Sequence, residues 1–112
     1  MIEIIVKDYL EKNLSVPVVL ENPDTPLEKF IKIEKTSSDE ENYILFATLA
    51  IQSYANSLYE SAHLNEEVKK AMRNIIALDS VSKAKLNSDY NFTDTTKKQY
   101  RYQAVFDLVY FD

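Results

Sequence analysis

The first twenty residues combine a helical pattern with a short β-rich segment. Apolar side chains between residues 2 and 10 recur at helical spacing while charged ones fill the rest of the wheel, which predicts a short amphipathic helix ending near Asn13. Residues 15–20 are rich in β-branched side chains and too few for a helix, and Pro17 suits a strand at the edge of a sheet. We therefore expect a helix followed by an edge strand.

Two longer strands with different burial follow. Apolar and charged residues alternate over 28–35, which predicts a strand with Ile31 and Ile33 turned inward. Residues 43–52 are apolar on both faces, a pattern typical of a central strand covered on both sides. Between them, the polar stretch 37–42 is predicted to form the turn, because its Asn and Asp residues tolerate the left-handed backbone conformations that glycine usually takes.

The second half of the chain contains the clearest helical period. Over 55–78 one apolar stripe opposes a charged face, which predicts either one long helix or two abutting pieces with a restart at Asn65. Residues 83–92 and 99–111 then alternate with a period of two around a turn at 93–96, which predicts two further strands. In the first of these, the even positions are expected to share one dry face: Ala84, Leu86, Tyr90 and Phe92.

The resulting order is α-β-β-β-α-β-β within a single domain, 1–112. It predicts an α+β fold with an antiparallel or mixed sheet of four to five strands, one long helix on a face and a short N-terminal helix. Apolar residues also line what should be the second face of that sheet: Phe46, Ala50, Val105, Val109 and Phe111. We expect the N-terminal helix to cover part of this face and a neighbouring subunit to cover the remainder.

Composition removes most catalytic classes. The 112 residues include no cysteine, one histidine and no glycine, so thiol chemistry, multi-histidine metal sites, glycine-rich phosphate loops and the G-x-S-x-G elbow are not expected. The net charge of −5 disfavours nucleic-acid binding by bulk positive charge. Residues 1–56 carry all of this excess, with ten acidic residues and five lysines. We expect no enzyme, no cofactor and no metal. Without a leader-like or membrane-spanning segment, the expected compartment is the cytoplasm.

Several strings together resemble the small tail-completion proteins, also called tail terminators or minor capsid proteins, of long-tailed bacteriophages and prophages of Gram-positive bacteria. They are Leu14-Ser15-Val16-Pro17-Val18, Phe30-Ile31-Lys32-Ile33-Glu34-Lys35-Thr36, Ala50-Ile51-Gln52-Ser53-Tyr54-Ala55, Tyr90-Asn91-Phe92-Thr93 and Tyr100-Arg101-Tyr102-Gln103-Ala104-Val105. The resemblance implies a structural virion protein that caps the tail tube as a homo-oligomeric ring, a hexamer, at the head-tail junction. Its implied partners are tail tube protein and the head-completion or connector protein. DNA would pass through without specific binding, and no membrane is involved.

Seven residues are candidates for an interface or a channel lining. Asp39, Glu40 and Glu41 would line the channel, where like charge repels DNA phosphates, or dock on the tube; an ordinary solvated turn is the alternative. Lys97 and Lys98 form, with Arg101, the basic cluster beside a turn, and three roles stay open for them: contact with DNA, contact with the acidic half of another copy, and solvation.

The last strand supplies the remaining candidates. Tyr100 and Tyr102 are predicted to face the core rather than stack on nucleic-acid bases, which turns Arg101 and Gln103 toward solvent or an adjacent subunit. Arginine is also enriched at protein interfaces. His63 is expected to be a surface or half-buried side chain, since its sequence neighbours cannot form a nucleophilic triad with it on one helix.

The resemblance therefore gives the first functional hypothesis, a ring-forming tail terminator assembled in the bacterial cytoplasm. Two alternatives are another head-tail neck component, which differs in its partner, and a small ligand-binding module or enzyme with a pocket beneath the apolar sheet face.

Overall fold

The computed structural model describes residues 1–111 and has the predicted α+β order. The elements are α1 (Ile2–Asn13), β1 (Val18–Val19), β2 (Phe30–Glu41), β3 (Ile44–Ala55), α2 (Leu58–Arg73), a 3₁₀ turn (Ile75–Ala77), β4 (Val81–Asn91) and β5 (Tyr100–Tyr110). The expected order of helices and strands is confirmed.

The five strands form one mixed sheet in the order β1-β2-β3-β5-β4. β1 runs parallel to β2, and the other neighbouring pairs are antiparallel. The segment 15–20 is thus an edge strand as predicted, although only Val18 and Val19 pair with β2. Pro17 fits this place because a proline has no N–H to donate to the ladder, and its carbonyl still accepts a hydrogen bond from Ile31 N at 2.9 Å.

Both helices pack on the same side of the sheet. Residues directly opposite one another on neighbouring strands point to the same face, so Ile33, Ile51 and Ala104 form one row, and all three are buried. α2 lies against β3, β4 and β5, α1 lies against β1 and β2, and the Tyr9 hydroxyl donates to the Ala71 carbonyl at 2.7 Å between the helices. This side of the sheet is called here the helix face. The core lies between it and the apolar stripes of both helices. Its residues include Ile2, Val6, Leu10, Ile31, Leu49, Leu64, Val68, Met72, Phe106 and Leu108.

The expectation that the N-terminal helix covers part of the second face is therefore wrong. α1 is amphipathic with a single buried stripe, Ile2, Val6 and Leu10, and that stripe belongs to the same buried cluster as α2. Within residues 1–111 no helix lies on the second face, which is called the open face below.

α2 is shorter than the predicted helix over 55–78. It begins after Ser57, whose hydroxyl accepts a hydrogen bond from Glu60 N at 3.1 Å and so caps the free amides of the first turn. It runs through Asn65 without a restart and ends at Arg73, after which the chain tightens into the 3₁₀ turn that buries Ile75.

The turn between β2 and β3 lies further along the chain than predicted. Strand β2 continues through Glu41, and the loop consists only of Asn42 and Tyr43, with φ of 51° and 67°. Two left-handed residues define the type I′ hairpin turn, whose twist matches the twist of the flanking strands. The acidic residues 39–41, expected in a turn, are therefore part of the strand.

β4 breaks the predicted alternation at a β-bulge. Ladder partners shift between Leu86 and Ser88, so Asn87 is an additional residue without its own partner on β5. Before the bulge, Leu86 points to the helix face. After it, Tyr90 lies opposite Gln103 and points to the open face, together with Phe92. The prediction that four even positions share one dry face is wrong for these two aromatic residues.

Candidate interaction surface

The open face is a largely uncovered side of the sheet with an apolar half and a polar half. The apolar half lies near the β2–β3 turn, where Ile44 and Phe46 are 37% and 36% exposed, and Phe111 beside them is 44% exposed. Val105 and Val109 add partly buried side chains on the same side. Exposed apolar side chains that adjoin one another on a sheet are typical of surfaces that another molecule covers.

The polar half is built on a pair of facing glutamines. Gln52 and Gln103 are opposite each other on β3 and β5, and the Gln52 amide nitrogen donates to the Gln103 side-chain oxygen at 2.7 Å. The Tyr54 hydroxyl donates to the other end of the Gln52 amide at 3.0 Å, and the Gln103 amide nitrogen donates to the Tyr90 hydroxyl. Gln103 is on the predicted face, but these partners leave it only 9% exposed, so it does not turn toward solvent. The alternative, contact with an adjacent subunit, stays a prediction.

Arg101 is held at the edge of this polar half by its own chain. Its Nε donates to the Phe92 carbonyl at 2.7 Å, and one Nη donates to the Tyr54 hydroxyl at 3.2 Å. The guanidinium also lies over the Phe92 ring, 4.5 Å from its centroid, a cation–π geometry. Tyr54 in turn stacks on Phe30 with ring centroids 4.4 Å apart. These contacts fix the arginine in place while leaving it partly exposed.

A cleft of about 830 Å³ lies over the polar half. The loop between β1 and β2 borders it on one side with Pro26 and Leu27, and the β4–β5 turn borders it on the other with Asp94 and Lys97. Gln52, Tyr54, Arg101 and Gln103 line it.

The basic turn and the acidic residues lie at opposite ends of the sheet. Lys97 and Lys98 are exposed in the β4–β5 turn, beside the start of β2, where the Asp94 carboxylate accepts from Lys97 N and Lys98 adopts a φ of 51°. Asp39, Glu40 and Glu41 are exposed at the far end of β2. The molecule is 44 Å long, so the structure does not bring the two candidate groups together within one chain.

Asp107 is a site residue that the sequence analysis missed. It points to the open face, where its carboxylate accepts from the Asn87 amide at 3.0 Å and from the Thr48 hydroxyl at 2.8 Å. The Asn87 hydrogen bond is the largest cause that lowers the pKa of Asp107 below its ordinary 3.8, followed by that of Thr48, while partial burial opposes both. The bulge at Asn87 creates this contact, and no feature of the sequence announces the bulge.

The lowered pKa gives a pH-dependent prediction. A carboxylate whose pKa is depressed in the folded state adds stability above its unfolded-state pKa, and this is lost as the pH falls through the folded-state pKa. The difference in unfolding free energy between the wild type and Asp107→Asn is therefore expected to be largest above the unfolded-state pKa of about 3.9 and to disappear as the pH falls through the lower folded-state pKa. Urea unfolding across this range measures it. In an Asn87→Ala background this difference in unfolding free energy should be smaller. A difference that stays the same at every pH would contradict a lowered pKa of Asp107.

The isolated histidine has no catalytic arrangement around it. His63 is exposed on α2, and its Nδ1 lies 3.0 Å from a carboxylate oxygen of Glu67 one turn later. The nearby Ser61 hydroxyl is buried and donates to the Leu58 carbonyl at 2.9 Å. Among residues 1–111, no group of three or more His, Asp or Glu side chains is placed to hold a metal ion.

The comparisons with known proteins give no family. No protein-family model matches the chain, and no curated protein matches it. In the described part of the chain, no helix has the length and apolar character needed to cross a bilayer. The geometry of the open face and of the sheet edges therefore carries the functional argument.

Proposed function

We propose that this chain is a non-enzymatic virion assembly protein, a ring-forming tail terminator that caps the tail tube and joins the tail to the head. The observation that carries the proposal is the incomplete cover of the sheet: both helices lie on one face, and the other face exposes Ile44, Phe46 and Phe111. A sheet that leaves apolar surface exposed is suited to burying it against further copies.

In this proposal the mechanism is assembly rather than chemistry. Copies add to the finished end of the tube, contact one another through sheet edges and the apolar half of the open face, and stop further tube growth. The closed ring then presents a surface for the head-completion or connector protein, and DNA passes through its centre. Residues 39–41 and the basic turn at 97–98 are charged groups with which a copy meets the tube, the head or a neighbouring copy, or lines the channel.

Native mass spectrometry of the purified protein, alone and with tail tube ends, tests the proposal. The chain has a mass of 13.0 kDa, so a ring of six copies is expected as a species of about 80 kDa. A chain that stays monomeric even in the presence of tube ends would contradict the proposal. Co-sedimentation with tails rather than with filled heads distinguishes the terminator from another neck component.

A small ligand-binding module is the second candidate, and the cleft over Arg101 and Gln103 is the observation that favours it. Its volume of about 830 Å³ falls in the range of small-molecule pockets, and it combines aromatic walls with fixed polar groups. Saturable stabilisation by a defined small molecule would support this function, since a ligand that binds only the folded state must raise its stability.

A further inference from the structure

The sheet has two open edges of nearly equal length. On one side, β1 pairs with β2 only at Ile31 and Lys32, so residues 33–41 of β2 have no strand beside them within residues 1–111. On the other side, β4 pairs with β5 from Val81 to Asn91, with register shifts between Val81 and Lys83 and between Leu86 and Ser88, and it has no strand on its outer edge within the same range. Unpaired edges present rows of backbone donors and acceptors to another chain.

The two open edges run in opposite directions. Each neighbouring pair from β2 through β3 and β5 to β4 is antiparallel. Three reversals place β2 and β4 antiparallel to each other. A second copy placed beside the first in the same orientation would therefore bring its β2 edge against β4 in an antiparallel arrangement, which continues the pattern of the sheet.

Residue pairing across the sheet gives the position of each edge residue along the strand direction, called here its level. Lys83 of β4 pairs with Val109 of β5. Val109 pairs with Phe46 of β3, and Phe46 pairs with Asp39 of β2. Lys83 and Asp39 are thus level on opposite edges, and both side chains point to the open face. If neighbouring copies keep their strands level, Lys83 of one copy lies directly opposite Asp39 of the next.

The charges near this level are complementary. Lys85 is two residues from Lys83 on the same face, and Glu41 is two residues from Asp39 on the same face. One edge thus presents two lysines and the other two carboxylates, at direct and diagonal cross-strand positions. Within residues 1–111 none of the four forms an ion pair inside its own chain, and all four are exposed. Lys85 lies opposite Asp107 of its own chain, and its charge is one of the causes that lower the pKa of that carboxyl. Lys83 and Asp39 are therefore the pair on which the alignment depends.

The short strand β1 limits how far such pairing extends. It pairs with β2 at Lys32. Successive cross-strand pairs through Gln52 and Gln103 place Lys32 at the same level as Tyr90 of β4. A neighbouring β4 can therefore pair with β2 from residue 33 to residue 41, and it meets β1 beyond that point. The available stretch contains the complementary charges.

From these observations we infer that copies of this chain join head to tail by sheet extension. Residues 33–41 of one copy pair antiparallel with residues 81–89 of the next, in the alignment that sets Asp39 beside Lys83. The inference rests on the proposed function, because it specifies the contact between neighbouring copies of the ring. The two surfaces in such a contact differ, so each copy can bind a further copy in the same way. The assembly closes into a ring when the rotation between neighbouring copies adds up to a full turn.

Charge reversal tests this alignment. Lys83→Glu and Asp39→Lys each replace an attraction with a repulsion, and each variant is expected to need about tenfold more protein to reach half assembly in sedimentation velocity. Combining both changes in one chain restores attraction at every contact. An equimolar mixture of the two single variants is also expected to assemble. In that mixture the two variants alternate around the ring. At one contact the two introduced side chains face each other. At the next contact the unaltered Lys83 and Asp39 face each other.

Lys70→Glu is the matched control, since it makes the same charge change at an exposed position on α2. It is expected to assemble as the wild type does, and equal thermal unfolding of all variants shows that they fold. The inference is overturned if rings form but both single reversals leave assembly unchanged, or if neither combination restores it; the proposed function would survive both results. Absence of rings in the wild type with tube ends present would overturn both.

A disulfide measurement gives the alignment directly, because the chain has no cysteine of its own. Within one chain, residues 39 and 83 are separated by three strand spacings, about 14 Å, which is too far for a disulfide. Mild oxidation of Asp39→Cys mixed with Lys83→Cys is therefore expected to give covalent dimers of one copy of each. Asp39→Cys mixed with Lys70→Cys should not give mixed dimers, and equal yields in the two mixtures would overturn the inference.

Discussion

Leu49→Ala is expected to lower the free energy of unfolding by about 2–5 kcal/mol. Leu49 lies at the centre of β3, is fully buried on the helix face and is opposite Phe106. Its truncation removes apolar contact and leaves a cavity that the rigid sheet and α2 cannot fill. Urea denaturation at a concentration where the protein is monomeric measures the loss.

Phe46→Ala, three residues earlier on the same strand, is the matched comparison. Phe46 is larger than Leu49, but it lies on the open face and is 36% exposed, so its truncation is expected to cost only about 1 kcal/mol in the monomer. A buried phenylalanine would cost about 3–5 kcal/mol. A loss of that size for Phe46 would show that something covers the open face of the isolated chain and would contradict the arrangement described above.

Gln103→Leu is expected to destabilise the monomer by about 1–3 kcal/mol. The substitution leaves the amide nitrogen of Gln52 without its acceptor in a buried position. A buried donor that loses its partner keeps the full cost of leaving water, which is larger than the net gain from a typical hydrogen bond. Thermal unfolding and urea denaturation should both report the loss.

The double variant Gln52→Leu/Gln103→Leu tests whether the two amides act as a pair. Because both sides of the hydrogen bond become apolar, the double variant should lose less stability than the sum of the two single variants, with a coupling of about 0.5–3 kcal/mol. Gln99→Leu is the control, since Gln99 is exposed on the same segment and its side chain accepts only a long hydrogen bond, 3.5 Å, from Arg101. Its change should stay within about 0.5 kcal/mol. Additive losses would show that the amides contribute independently.

The periodic elements could be predicted because their patterns reflect burial directly. The alternation over 99–111 identifies the two faces of β5 correctly, with Ala104 and Phe106 on the helix face and Arg101 on the open face. The apolar stripe of α2 is likewise confirmed by the buried Leu64 and Val68. Within β5 and within α2 nothing interrupts the period, so the pattern and the structure agree there. The agreement ends where α2 ends at Arg73: Ile76, the last apolar residue of the predicted stripe, is 56% exposed.

Other features depend on contacts that no local pattern encodes. The bulge at Asn87 changes the phase of β4, and the buried position of Gln103 follows from it, because Tyr90 then reaches the open face. The position of Lys83 on an open edge could be recognised only from the order of strands in the sheet, because that order places Lys83 at the same level as Asp39. The sequence analysis singled out Asp39 but not Lys83, because the position of Lys83 opposite Asp39 follows only from the strand order.

The chain folds without any glycine, and its two tight turns show the consequence. Asn42, Tyr43 and Lys98 all have left-handed backbones, which cost a side chain such as tyrosine or lysine about 1–2 kcal/mol. Side chains at every position also narrow the range of backbone shapes available to the disordered chain, which reduces the entropy that folding must remove. The protein thus accepts local strain at two hairpin tips while starting from a less flexible unfolded ensemble.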